Sequence, residues 1–134
     1  MELVTPGSTW AADVGRGLRW VLFIPAGAVG GFFASCVANF SMGFSGYSQD
    51  SPFVSFMVMV ALGTFSVWAA VMVAPCENKT APAVAMGTLT LLFFGFSAIA
   101  LCSVHAWGDV LYCLVGGGAA AFAMKNAMVI DGSD

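Results

Sequence analysis

The chain has 134 residues, of which 60% are apolar and 8% are charged, and its mean hydropathy is +0.92. Soluble domains carry about 45–50% apolar and about 25% charged residues, so this composition excludes a soluble globular protein. Each helical membrane crossing uses about 20 residues, and four crossings would leave only short loops and tails. Such a chain has no aqueous domain that could hold a catalytic site, and we predict that it is not an enzyme and has no catalytic residues.

Four long intervals of the sequence are strongly apolar, and the charged residues lie at or beyond their ends. The predicted spans cover about 18–40, 52–75, 81–104 and 107–124. Each is long enough to cross about 30 Å of hydrocarbon as a helix. The strands of a membrane β-barrel would alternate apolar and polar residues, whereas these intervals are continuously apolar. The sequence therefore predicts an all-α integral membrane fold with four transmembrane helices.

The basic residues predict the orientation of the spans. Arg16 and Arg19 precede the first span, Lys79 lies between the second and third, and Lys125 follows the fourth. With four spans these positions share one side of the membrane, which the positive-inside rule assigns to the cytoplasm. Short connections favour an up-down-up-down bundle with both termini cytoplasmic, and we expect it in a bacterial inner membrane. The predicted segments are an N-terminal cytoplasmic or interfacial segment (1–17), the transmembrane domain (18–124) and a C-terminal cytoplasmic tail (125–134).

The N-terminal segment allows two structures. Trp10, Val14 and Leu18 recur at a spacing of four, which would give a helix one apolar face on the membrane surface. Gly15 and Gly17 favour an interruption of that helix instead.

The middle of every predicted span lacks Asp, Glu, Lys, Arg and His. Ionisable residues in the membrane interior commonly form proton relays, ion paths and voltage sensors, so their absence disfavours a pump. An uncharged pore stays open as an alternative, because hydroxyls and backbone carbonyls can line a path. Its candidate lining residues are Thr64, Ser66, Thr88, Thr90 and Ser97.

A small polar group is predicted at the outer end of the third and fourth spans. His105 and Asp109 are four residues apart and would share a face of a continuous helix, as a pH-sensitive pair or half of a metal site. Two ligands are too few for a tight site within one chain, and we predict no metal and no cofactor. The alternative is Trp107 as an interfacial anchor and Asp109 as the N-cap of the fourth span. Asn39, near the outer end of the first span, can hydrogen-bond to a neighbouring helix.

The cysteines do not form a metal or redox motif. Cys36, Cys76, Cys102 and Cys113 contain no C-x-x-C pair. Cys102 and Cys113 both approach the outer side, and the sequence leaves open whether they are bonded to each other.

Small residues recur along the spans at spacings that let helices approach closely. They serve either packing within the bundle or contact with another subunit. The candidate packing and interface residues are Gly27, Gly31, Gly87, Gly95, Gly116, Gly117, Ala120 and Ala121.

These features together predict a protein that acts by helix–helix association in the lipid bilayer. We expect an accessory or structural subunit of a membrane complex, with other membrane subunits as partners, or a homo-oligomer of the chain with copies of itself. Nucleic acid is not an expected partner, because the net charge is -3 and only four residues are basic. The alternative function is a small channel or facilitator with an uncharged pore at an oligomer axis.

Overall fold

The computed structural model describes residues 7–74 and 78–131 of the chain, and the side chains of 14–74 and 78–130. Its helices are α1 (Gly7–Phe44), α2 (Pro52–Val73), α3 (Thr80–Ser103) and α4 (Trp107–Asp131). The segments able to cross a membrane by length and composition are Val14–Phe44, Pro52–Val73, Thr80–Ser103 and Trp107–Ile130. The described chain is thus all-helical, with four helices long and apolar enough to span a membrane, which confirms the predicted fold class at this level.

Two helices extend beyond the predicted spans. Helix α1 has 38 residues and continues without a break through Gly15 and Gly17. Glycine costs about 1 kcal/mol relative to alanine in a helix but keeps its backbone N–H donor, so it weakens the helix without ending it. Val14 and Leu18 are exposed, and the side chain of Trp10 lies outside the described residues. Helix α4 likewise continues past residue 124 to Asp131, because no proline or glycine lies in between.

Helix α2 lies at the centre of the bundle. It packs against α1, α4 and α3, while α3 packs against α4. Helix α1 touches α3 only slightly, and among the described residues it does not contact α4. The helix α1 is therefore attached mainly through α2, and a cleft separates it from α3.

The buried core consists largely of small side chains, in two clusters. The first joins α2, α3 and α4 through Val67, Val71, Ala83, Ala120, Ala123 and Ala127. The second joins α1, α2 and α3 through Phe23, Ala70, Ala74 and Met86. Lipid tails are as apolar as leucine, so membrane helices associate through close van der Waals packing, which small side chains permit.

A Schellman motif ends α1. The N–H of Tyr47 donates to the carbonyl of Met42 at 3.2 Å, and the N–H of Gly46 donates to the carbonyl of Gly43 at 3.1 Å. Gly46 has a φ of +85°, the left-handed conformation that this motif requires after the last helical turn. Glycine adopts it without a steric penalty.

Helix α3 ends in the same motif, but with histidine in place of glycine. The N–H of Ala106 donates to the carbonyl of Leu101 at 3.0 Å, and the N–H of His105 donates to the carbonyl of Cys102 at 3.1 Å. Among the described residues, His105 is the one non-glycine with a positive φ, at 58°. A side chain in this conformation costs about 1–2 kcal/mol, so His105 terminates α3 under backbone strain.

We predict that His105→Gly stabilises the folded chain by about 0.5–1 kcal/mol, because relief of the left-handed strain exceeds the added freedom of glycine in the unfolded chain. Gly46→Ala should have the opposite effect at the equivalent position of α1. Thermal unfolding in detergent measures both changes. A lower unfolding temperature for His105→Gly would show that the histidine side chain makes a stabilising contact that outweighs the strain.

Candidate functional site

His105 and Asp109 do not lie on one continuous helix, which is the condition under which the sequence would place them on a shared face. The helical path is interrupted after Ser103, and α4 begins only at Trp107. Asp109 lies in the first turn of α4, not at its N-cap, where its negative charge still favours the positive end of the helix dipole. Among the described residues, no group of three or more His, Cys, Asp and Glu side chains could hold a metal ion.

The described cysteines are free thiols. Cys102 is half-buried and Cys113 is buried, and they are not joined in a disulfide. Cys36 is exposed on α1. Cys76 lies outside the described residues.

Asn39 is half-buried near the C-terminal end of α1. About one and a half turns of helix separate it from the end of α1 at Phe44, so it lies toward one end of the span. Its hydrogen bond to a neighbouring helix stays a prediction.

Two candidate glycines bring α1 onto α2 and α3. A Cβ atom at Gly27 would lie 2.7 Å from the carbonyl oxygen of Ser66 and 2.7 Å from Cε of Met86. A Cβ atom at Gly31 would collide with Oγ of Ser66 and would lie 2.9 Å from the carbonyl oxygen of Leu62. The space beside both glycines is therefore occupied by neighbouring helices of the bundle.

The candidates of α3 and α4 pack these two helices together. A Cβ atom at Gly87 would lie 2.7 Å from Sδ of Met124, and one at Gly116 would collide with the ring of Phe94. Gly117 is buried, and a Cβ atom there would lie in ordinary contact with Leu91, 3.6 Å from its Cδ2, and with Phe94, 3.7 Å from its Cβ.

The remaining candidates differ in their surroundings. Ala120 has no exposed surface, and Ala121 is half-buried. Gly95 is exposed, and nothing lies within 4 Å of the place of its Cβ atom. Gly118, which follows the candidates Gly116 and Gly117 in the chain, is equally open.

A close approach of α2 to α4 occurs at Gly63, which is not among the predicted packing candidates. A Cβ atom at Gly63 would collide with the carbonyl oxygen of Gly116 and would lie 3.2 Å from the backbone nitrogen of Ala120. Gly63 lacks a glycine partner one turn away in its own helix. The small-residue pair that marks a contact surface is therefore split between two helices and is not visible as a sequence motif.

A cavity of about 350 Å³ lies in the cleft between α1 and α3, with α2 behind it. Its walls are almost entirely apolar. The lining residues are Ile24, Ala28, Leu62, Ser66, Met86, Leu89, Thr90, Phe93 and Phe94.

The two hydroxyls in this cavity are bonded within their own helices. Ser66 Oγ donates to the carbonyl of Leu62 at 2.6 Å, and Thr90 Oγ1 donates to the carbonyl of Met86 at 2.8 Å. Such bonds to the preceding turn remove the donor that a polar ligand would use.

Two of the five hydroxyls predicted for a pore at an oligomer axis lie in this cavity within the bundle, and the pore itself stays a prediction. Ser66 and Thr90 line the cavity, whereas the other three do not. Thr64 and Ser97 are half-buried, and Thr88 is exposed.

We predict that Gly63→Ala destabilises the bundle by about 1–3 kcal/mol, because the added methyl group forces α2 away from α4. The matched control is Gly118→Ala, where the methyl group enters open space and should stabilise the isolated chain by about 0.5–1 kcal/mol, because alanine loses less backbone freedom in a helix than glycine. Unfolding of the two variants in mixed detergent micelles measures the difference. Equal stabilities would contradict the close approach at Gly63.

In comparisons with known proteins, no protein-family model, no curated protein sequence and no solved structure matches the chain. Its function must therefore be argued from its own residues and contacts.

Proposed function

We propose that the chain is a non-enzymatic membrane subunit that acts by helix–helix association, as an accessory or structural part of a membrane complex or as a homo-oligomer. The observation that carries this proposal is the exposure of Gly95 on α3 and Gly118 on α4. Glycine in a helix interior costs about 1 kcal/mol relative to alanine. At these two positions no contact within the bundle requires a glycine. A helix of another subunit could approach closely there.

The two glycines lie at a similar depth in the bundle. Phe94, which precedes Gly95, contacts Gly116 and Gly117, which directly precede Gly118. Their neighbours on the outer surface are bulky. The exposed apolar side chains around them are Leu92, Phe96, Ile99, Leu114 and Phe122. A glycine among such side chains forms a depression that a ridge of another helix can fill.

The proposed arrangement is an up-down-up-down bundle. The second core cluster supports it, because Phe23 from the first part of the α1 span meets Ala74 at the end of α2 and Met86 near the start of α3. The first cluster joins Ala83, near the start of α3, to Ala127, near the end of α4. These contacts support a common level for the first part of the α1 span, the end of α2, the start of α3 and the end of α4.

The charges support cytoplasmic termini. Lys79 Nζ donates to the carbonyl of Ala74 at 3.1 Å and so caps the C-terminal end of α2. Arg19 and Lys125 lie in α1 and α4 toward the same end of the bundle, and Asp50 and Asp109 lie toward the other. A bacterial inner membrane with the basic end inside satisfies the positive-inside rule.

We expect Gly95→Leu and Gly118→Leu to dissociate the native complex while the chain still inserts and folds. Each leucine fills the depression and holds a second helix away. The matched control is Gly108→Leu, at an equally open glycine in the first turn of α4, away from the middle of the span. Native mass after gentle detergent extraction, with every co-migrating chain identified, measures the effect.

The outcome of that measurement also separates the alternatives. Other proteins at a fixed ratio identify an accessory subunit, and copies of this chain alone identify a homo-oligomer. A lone monomer in the wild type, or complexes unchanged in both glycine variants, would contradict the proposal. A homo-oligomer that passes a small solute in liposomes would favour the channel alternative.

We predict that a cysteine at position 48 is labelled from outside the cell and that one at position 78 is not. The variants are Ser48→Cys and Asn78→Cys, each in a chain whose native cysteines are replaced by alanine. Ser48 and Asn78 are exposed in the connections at opposite ends of α2. A thiol reagent that cannot cross the membrane, applied to intact and then to opened cells, provides the measurement. Labelling of Asn78→Cys in intact cells would contradict cytoplasmic termini.

A further inference from the structure

We propose that the cleft between α1 and α3 binds one acyl chain of a membrane phospholipid. The cleft is the cavity of about 350 Å³ described above, backed by α2. It is separate from the surface around Gly95 and Gly118, so the proposal is independent of the association function.

The packing of the helices opens the cleft sideways. Helix α1 packs along α2 and touches α3 only slightly, so the two helices diverge in front of α2. Ser66, Met86 and Phe94 form a buried floor, whereas Ile24, Leu89 and Phe93 at the rim are exposed. Since all three helices are long and apolar enough to span a membrane, the opening faces the hydrocarbon interior.

The chemistry of the walls selects a hydrocarbon occupant. Charged residues are absent from the lining, and the hydroxyls of Ser66 and Thr90 are used within their own helices. The two hydroxyl oxygens can still accept but donate nothing to a ligand, so a polar ligand would lose most of its hydrogen bonds on entering such a site. An apolar chain loses none and regains the dispersion contacts that an empty cavity lacks. The volume falls at the lower end of the range of about 300–1,000 Å³ typical of ligand pockets.

The shape of the rim favours a flexible chain over a helix. Close docking of a transmembrane helix needs small residues at the contact surface. Three of the rim side chains, Ile24, Leu89 and Phe93, are bulky, and only Ala28 is small. An unbranched acyl chain is thin enough to pass between bulky side chains, whereas a helix backbone is held away by them.

Photo-crosslinking tests the proposal on the full chain. The protein is reconstituted in vesicles of phosphatidylethanolamine and phosphatidylglycerol that include phosphatidylglycerol with a diazirine midway along one acyl chain. Peptide mass spectrometry locates the adducts after irradiation. We expect Leu62, Met86 and Thr90 in the cleft to carry about tenfold more adduct per exposed area than Phe96 and Ile99 on the outer surface.

A filling variant and a matched control sharpen the test. Ala28→Leu narrows the mouth and should lower the cleft adducts about tenfold. Ala100→Leu makes the same change at an exposed alanine of α3 outside the cleft and should leave them unchanged. Leu89→Trp narrows the opposite rim and gives the same loss if Ala28→Leu does not fold. Thr90→Val should retain the adducts, because its hydroxyl is bonded to Met86.

Three outcomes would overturn the proposal. Adducts could follow exposure alone, with no enrichment in the cleft. Enriched adducts could persist in both narrowing variants. A second polypeptide, either another copy of the chain or a partner, could occupy the cleft, and crosslinks between chains at Leu62 or Met86 would reveal it.

Discussion

The bundle depends on backbone contacts between helices that only glycine permits. In hydrocarbon, large apolar side chains gain little by leaving lipid for one another, so attraction must come from close packing. Gly63 of α2 meets the backbone of Gly116 in α4, and Gly27 of α1 meets the carbonyl of Ser66 in α2. These contacts explain why α2 is central and why α1 is attached chiefly through it.

The same constraint produces the cleft. Gly27 and Gly31 direct α1 toward Ser66, and the bond from Ser66 Oγ to Leu62 keeps that polar group within α2. Helix α3 is instead drawn toward α4, where Gly116 accommodates the ring of Phe94. Because α1 packs toward α2 and α3 packs toward α4, an apolar cavity is left between α1 and α3. The cavity is apolar because the hydroxyls that line it donate their hydrogen bonds within their own helices.

The C-terminal ends of α1, α2 and α3 are each closed by specific hydrogen bonds. Gly46 and His105 terminate α1 and α3 in the same hydrogen-bonded motif, and Lys79 caps α2. The sequence spacing makes His105 and Asp109 candidates for a polar pair only if they lie on a continuous helix. In the structure, the left-handed conformation of His105 terminates α3. Residue spacing does not reveal this role, because glycine is the common residue at such a position and histidine is rare there.

Sequence by itself determined the helical class and the number of membrane-crossing segments, since both follow from the length of uncharged apolar runs and the need to satisfy backbone hydrogen bonds in lipid. The direction in which each small residue points was decided only by tertiary structure. Gly95 and Gly116 look alike along the chain, yet one is open and the other is filled by Phe94. Every span is apolar on all sides, so periodicity carries little information about which face meets a neighbour.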